Sequence, residues 1–338
     1  MLLVLYAALA FQSGEKDQLR YPEYFPKPAY DFEQNPLSAD KVTLGKLLFY
    51  DPRLSKDNSI SCASCHSPYN AFAHTDHDLS HGIDDRIGTR NAPALFNLAW
   101  QKSFMWDGAI HHLDMQALAP ISHPDEMGED LKSVVFKLQE SALYPQAFER
   151  AWKDSIVTGE RILKSLAQFQ LTLVSASAKY DQVKLGQAEF TEKEKNGYRL
   201  FKQNCSNCHT EPLFTNQGFA SNGLPIDSSL EDYGRVMITK KPQDSFLFKI
   251  PSLRNLKYSY PYMHDGRFDK LRQVINHYNT LAFVPDSEEK SKAIPINLTS
   301  HEKTDLIAFL LTLSDEQFVF DPSNKFPKEL LIVNKNNK

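Results

Sequence analysis

The sequence predicts a mostly α-helical chain folded as two related domains, with long loops and little β structure. Three observations predict it. Alternating apolar–polar runs of the strand type are scarce, whereas apolar residues recur at helical spacing in several segments. A short motif, Cys-x-x-Cys-His, occurs once in each half, at Cys62, Cys65 and His66 and again at Cys205, Cys208 and His209. It uses all four cysteines of the chain. The sequence around the two copies also repeats weakly.

Cys-x-x-Cys-His is the attachment signature of c-type haem. The two thiols bond to the haem vinyl groups, and the adjacent imidazole ligates the iron. A lone Cys-x-x-Cys also suits a zinc knuckle or a redox dithiol, and a zinc site from the same ligands is the competing reading. The doubled motif, with its histidine, points to two covalent haems in two cytochrome c-like domains. Haem then forms much of each core, which fits the shortage of strands.

Composition bounds the rest. A length of 338 residues suits two domains, and 41% hydrophobic residues suffice for ordinary cores. The net charge is −4 without a basic block, so nothing argues for nucleic acid. The apolar run at 2–10 ends in Ala-x-Ala and reads as the core and cleavage site of a secretory signal, covering residues 1–13. It lacks a basic start, and a buried N-terminal strand or helix would look the same. Neither it nor any other stretch is long enough to span a membrane. Because c-type haem is attached outside the bacterial cytoplasm, a periplasmic protein is expected, soluble or tethered.

Residues 14–37 are polar and Pro-rich, an extended lead-in. The first haem domain is expected over 38–180. Ser38 opens a helix through Leu44, Leu47, Leu48 and Phe49, and a loop at 51–60 delivers the first motif. Residues 67–89 read as loop around a haem edge and carry His74, His77 and His81. Arg90-Asn91-Ala92-Pro93 is a turn. Helical patterns follow near 112–119, 129–139 and 143–153, then over 158–178, where Ile162, Leu163, Leu166, Phe169 and Leu173 share a face. Residues 179–190 look like a junction. The second domain, 186–320, starts at a capping box, Thr191 with Glu194, and a second box, Thr299 with Glu302, opens a helix over 303–313. Residues 211–250 are loop-rich. The segment 321–338 reads as a frayed polar tail.

The repeat separates the two haems. Gly45-Lys46-Leu47-Leu48-Phe49 corresponds to Gly197-Tyr198-Arg199-Leu200-Phe201, and Arg90-Asn91 to Arg254-Asn255. Phe104-Met105-Trp106-Asp107-Gly108 corresponds to Tyr262-Met263-His264-Asp265-Gly266. Continuing in step, Leu113 meets Leu271 and Pro120 meets Tyr278. A haem that only carries electrons has both axial positions filled, whereas one that binds a small molecule leaves one free. The segment near Tyr278 offers His277, Tyr278, Met263 and His264 as ligands, while Pro120 cannot ligate. The first haem is therefore expected to be open and the second six-coordinate. Gln116 and Glu126 flank Pro120 as candidates for positioning a peroxide and moving its proton; by pattern alone both read as solvated surface residues.

The segment from Leu44 to Ser55, the first haem motif, Arg90-Asn91-Ala92-Pro93, Phe104 to Gly108, Pro120-Ile121 with Glu126-Met127, Phe248 to Asn255 and Pro261 to Gly266 together resemble the bacterial di-haem cytochrome c peroxidases, over about residues 38–315. The resemblance implies a periplasmic peroxidase that reduces H2O2 with electrons from a small cytochrome c or a cupredoxin, and it is compatible with a homodimer. It implies Glu126 and Gln116 as distal pocket residues, against the surface reading. Trp106 becomes an electron relay between the haems, whose bland alternative is core packing. Asn91, with the carbonyls of Ser259 and Pro261, becomes a Ca2+ site.

Two departures matter. Many family members place Met where this chain has Tyr278, and the tyrosine resembles the subgroup containing the maturation enzyme of methylamine dehydrogenase. His277 is adjacent and stays an alternative ligand, and Met263 reads as packing. Peroxidases that rest inactive supply a removable histidine to the first haem. The gap-free match here is Ile83, with His81 two residues away, so a permanently open first haem is the simpler expectation. Two other functions stay in view: H2O2-dependent oxidation of another protein's side chains, and a pure electron carrier.

Overall fold

A computed structural model describes residues 18–280 and 295–328. The signal-like segment at 1–13 lies outside the described residues. In the first half, α1 (Ala39–Phe49), the four-residue α2 (Cys62–Cys65), α3 (Leu113–Gln116), α4 (Leu118–Ser122), α5 (Leu131–Gln139), α6 (Tyr144–Trp152) and α7 (Gly159–Leu171) surround one apolar core. After α8 (Lys179–Lys184), the second half holds α9 (Glu192–Asn204), α10 (Val236–Thr239), α11 (Leu271–Thr280), α12 (Ser300–Leu311) and α13 (Glu316–Val319). As expected, β structure is minimal. Among the described residues the one sheet pairs β1 (Phe219–Ala220) antiparallel with β2 (Phe248–Lys249).

The repeat has a structural meaning. α1 packs on α7 in the first half, and α9 packs on α12 in the second. At each crossing the repeated glycine touches the partner helix backbone. A Cβ on Gly45 would lie 1.8 Å from the Ser165 carbonyl oxygen, and one on Gly197 would lie 1.9 Å from that of Asp305. Phe169 and Phe309, one turn further along, close both contacts. Beside Gly45, α1 buries Leu44, Leu47, Leu48 and Phe49, each contributing about 1.5–3 kcal/mol of transfer free energy. Gly45→Ala must push the helices apart and should destabilise the holoprotein by about 1–3 kcal/mol. Gly197→Ala should do the same. Denaturant midpoints followed at the haem and in far-UV circular dichroism check both, and a wild-type midpoint would refute the reading.

Both capping boxes form. The Thr191 amide donates to Glu194 at 2.7 Å, and the Thr299 amide donates to Glu302 at 2.9 Å. The helix expected over 158–178 is shorter, ending at Leu171. There the Thr172 hydroxyl donates to the Phe169 carbonyl, and Ser175 is pulled out of helical register by Asn97 and Asp315. The Ser175 amide donates to Asn97 Oδ1 at 2.9 Å and its hydroxyl donates to Asp315 at 3.1 Å. The pattern at 112–119 resolves into α3 and α4, with Pro120 in the first turn of α4, where a missing N–H is tolerated. The junction at 179–190 contains α8.

The segment after Phe320 is not frayed as far as it is described. The Tyr50 hydroxyl donates to the Asn324 carbonyl at 2.5 Å, and the Phe326 ring meets Tyr50 edge-on. Phe318 and Val319 also belong to the first core, whereas Tyr180 belongs to the second, so the chain crosses over at both ends of the second half. The lead-in carries Phe25 into the first core, and the Trp100 indole donates to the Pro26 carbonyl at 2.7 Å.

Candidate functional site: one cavity with two haem motifs

A continuous cavity of about 890 Å³ runs along the seam between the halves. Its wall includes Cys65 and His66 from the first motif and Cys205, Cys208 and His209 from the second. No described cysteine is in a disulfide. The imidazoles are set up as ligands. His66 Nδ1 is hydrogen-bonded to the Phe72 carbonyl at 2.9 Å, and His209 Nδ1 to the carbonyls of Phe214 (3.2 Å) and Pro251 (3.1 Å). Those bonds assign the proton to Nδ1 and leave Nε2 to bind metal. Burial pushes both imidazoles down to about 4, so each is neutral, the ligating form. A cavity lined by Cys65, by both thiols of the second motif and by both oriented histidines fits two c-type haems.

The two ends of the cavity differ. Pro120, Gln116, Glu126 and His123 line the first end. Burial raises the Cys62 and Cys65 thiols, and Glu126 lies close enough to add to the effect at both. Burial in turn lifts the Glu126 carboxyl above the ordinary glutamate range, with His123 opposing. The Ile83 amide donates to the Glu126 carbonyl at 2.8 Å, so the loop at 67–89 braces this residue. Gln116 Nε2 contacts Met105 Sδ at 3.9 Å. Residue pattern alone puts Gln116 and Glu126 on the surface; both are half-buried and line the cavity, Gln116 from the end of α3 and Glu126 from the turn after α4.

At the second end, Tyr278 on α11 lines the cavity. Its phenol is pushed up by burial first, then by the charges of Cys205 and Cys208. His277 points elsewhere, with Nε2 hydrogen-bonded to the Asn222 carbonyl at 2.7 Å. Met263 lines the cavity, and its sulphur accepts from Asn222 Nδ2 at 3.7 Å. His81 is held by Asp85 at 2.6 Å and stacks on His77, whose ring stacks in turn on His74. Ile83, the counterpart of the removable histidine, is buried.

Trp106 also lines the cavity. Its indole donates to the Asn91 carbonyl at 2.8 Å, and its own carbonyl accepts from the Lys249 amide at 2.7 Å. The repeated five-residue segments form matching tight loops: Met105 and Met263 both take left-handed backbone, as do Gly108 and Gly266. Arg90 ties the seam by pairing with Asp107 at 2.7 Å and with Asp232 at 2.6 Å. Its counterpart Arg254 is fully buried on Asp181. Asn91, Ser259 and Pro261 all line the seam, and the Asn91 amide nitrogen donates to the Asp78 carbonyl at 3.0 Å, which leaves Oδ1 as its free acceptor. The motifs containing Lys249 and Arg90 give neither residue a role when read from sequence. A lysine set among Phe248, Ile250 and Pro251 is the one signal there.

Two helical halves, each with a haem-attachment motif on a shared cavity, define a di-haem c-type peroxidase scaffold, and the chain belongs to the di-haem cytochrome c peroxidase family. The profile of that family matches residues 39–189, and a cytochrome c profile matches 194–314. Homologues are named cytochrome c peroxidases, oxidoreductases acting on peroxide, and this chain is an enzyme of that kind. It is similar to the methylamine utilization protein MauG of Methylophilus methylotrophus, at 36% identity over 92% of each chain. Cytochrome c551 peroxidase of Nitrosomonas europaea is 33% identical over 86% of this chain and 84% of its own. Among solved structures, a MauG-like protein associated with microbial copper homeostasis superposes with a TM-score of 0.83. It is 30% identical, over 91% of this chain and 98% of that one. Among the described residues no helix is long and apolar enough to cross a membrane.

Proposed function

We propose that the chain is a periplasmic peroxidase that reduces H2O2 at the first haem pocket and takes electrons through the second, from a small cytochrome c or a cupredoxin. The asymmetry of the cavity carries this reading: Pro120 with Gln116 and Glu126 at one end, Tyr278 at the other. The haem iron supplies the redox chemistry when bound. The chain's own groups do the rest. Gln116 orients the peroxide oxygens, and Glu126 accepts the proton from one oxygen and returns it to the other. Trp106 bridges the two ends as a relay. Cys62, Cys65 and His66 hold the first haem, and Cys205, Cys208, His209 and Tyr278 hold the second. Asn91, with the carbonyls of Ser259 and Pro261, offers hard oxygen donors for one Ca2+ at the seam.

A second reading is favoured by one observation. Tyr278 lines the cavity at the position where many family members carry methionine, and phenolate ligation stabilises oxidised iron. That suits holding oxidising equivalents for a protein side chain, an activity in keeping with the similarity to MauG. Steady-state assays with H2O2 and reduced cytochrome c decide between them. The peroxidase reading expects sustained donor oxidation. Slow turnover with a long-lived oxidised species would transfer the assignment to protein-substrate oxidation. A resting ferric protein without high-spin haem, before and after half-reduction, would refute both and leave an electron carrier.

A further inference from the structure

Among the described residues, the arginines and lysines lining the cavity are Arg90, Lys249 and Arg254. Arg254 is committed to Asp181 through two bonds of 2.7 and 2.8 Å. Arg90 is committed to Asp107 and Asp232. Lys249 has neutral partners instead. Its Nζ donates to the Ser103 carbonyl at 2.8 Å and to the side-chain oxygen of Gln101, and it sits 5.8 Å from the Phe104 ring centre. A buried ammonium with neutral acceptors alone is costly, and burial pushes this one down to about 7. Among the described residues no carboxylate pairs with it.

A c-type haem supplies anions, because each carries two propionate carboxylates. We propose that Lys249 is the counter-ion of a haem propionate at the seam between the two pockets. The inference rests on the di-haem reading. Arg90 and Arg254 are excluded as its equals by their aspartates, and Lys249 alone of the three reaches the cavity without a carboxylate of its own. Its placement ties the pair to the relay. The Lys249 backbone amide holds the Trp106 carbonyl, and its ammonium holds the Ser103 carbonyl three residues earlier. Lys249 is thus a positioning residue that fixes the charge beside Trp106.

The test uses the purified holoprotein and its Lys249→Gln and Lys249→Arg variants. Pyridine haemochrome spectra count the haems, and spectroelectrochemical titration gives both potentials. Glutamine keeps a donor for Ser103 but removes the charge, leaving the propionate uncompensated and favouring ferric iron. In Lys249→Gln one haem's ferric–ferrous equilibrium should move at least about tenfold toward ferric, 59 mV for one electron, and Lys249→Arg should restore it. Unchanged potentials with two haems bound would overturn the proposal, as would equal shifts in both variants. Fewer than two haems in the wild type would instead refute the di-haem reading. If Lys249→Gln does not accumulate, resonance Raman of wild type and Lys249→Arg decides. A displaced propionate bending band supports the pair, and an unmoved band overturns it.

Discussion

Glu126→Gln should lower kcat/KM for H2O2 by roughly 10²–10⁴-fold, the usual contribution of a positioned proton-transfer group, with both haems still attached. Glutamine matches the shape of the side chain, but it cannot accept the peroxide proton. The carboxyl is well placed to take that proton, because it lines the cavity beside the first thiol pair and its backbone is braced by Ile83. The pH dependence has a definite sign. Glu126 accepts a proton only when ionised, and burial holds its proton to higher pH than an exposed glutamate would. Activity should therefore fall as pH drops through a value above the ordinary glutamate range. That limb should be missing from the glutamine variant. Stopped-flow mixing with H2O2, followed in the haem spectrum, measures the rate. A wild-type rate, or a wild-type limb, in Glu126→Gln would remove this residue from the proton path.

What could be read from the sequence was what is encoded locally. The haem motifs need only five consecutive residues. The capping boxes at Thr191 and Thr299 need four, and both form as written. The repeat reached further, because Gly45 and Gly197 are constrained by the same helix crossing in each half. Local reading failed where distant groups decide. α7 stops early because Ser175 is claimed by Asn97 and Asp315, which lie 78 and 140 residues away in sequence. Gln116 and Glu126 carry no periodic signal of burial, since their pocket closes only when the turn after α4 meets the first motif. Family resemblance, not pattern, brought them forward. Lys249 escapes sequence reading for the same reason: its charge is informative only once Arg90 and Arg254 are seen to be paired.

Tyr278→Met should raise the potential of the second haem by a few hundred millivolts, within the roughly 0.8 V span that axial ligands command. A hard phenolate oxygen stabilises ferric iron, whereas a thioether favours ferrous. Tyr278 lines the cavity close to Cys205 and Cys208. Burial makes its phenol harder to ionise, so ligation as phenolate depends on the metal's own charge to reverse that effect. The neighbouring histidine provides the control. His277 is occupied by the Asn222 carbonyl at 2.7 Å, so His277→Ala should leave the potential and the charge-transfer bands of the second haem unchanged. The opposite pattern, with His277→Ala shifting both and Tyr278→Met silent, would make His277 the ligand. The outcome also bears on substrate. Raising the second potential eases electron entry from a donor and weakens the storage of oxidising equivalents. If Tyr278→Met speeds cytochrome c oxidation while shortening the life of the peroxide-oxidised protein, the tyrosine is what sets this chain toward storage rather than turnover.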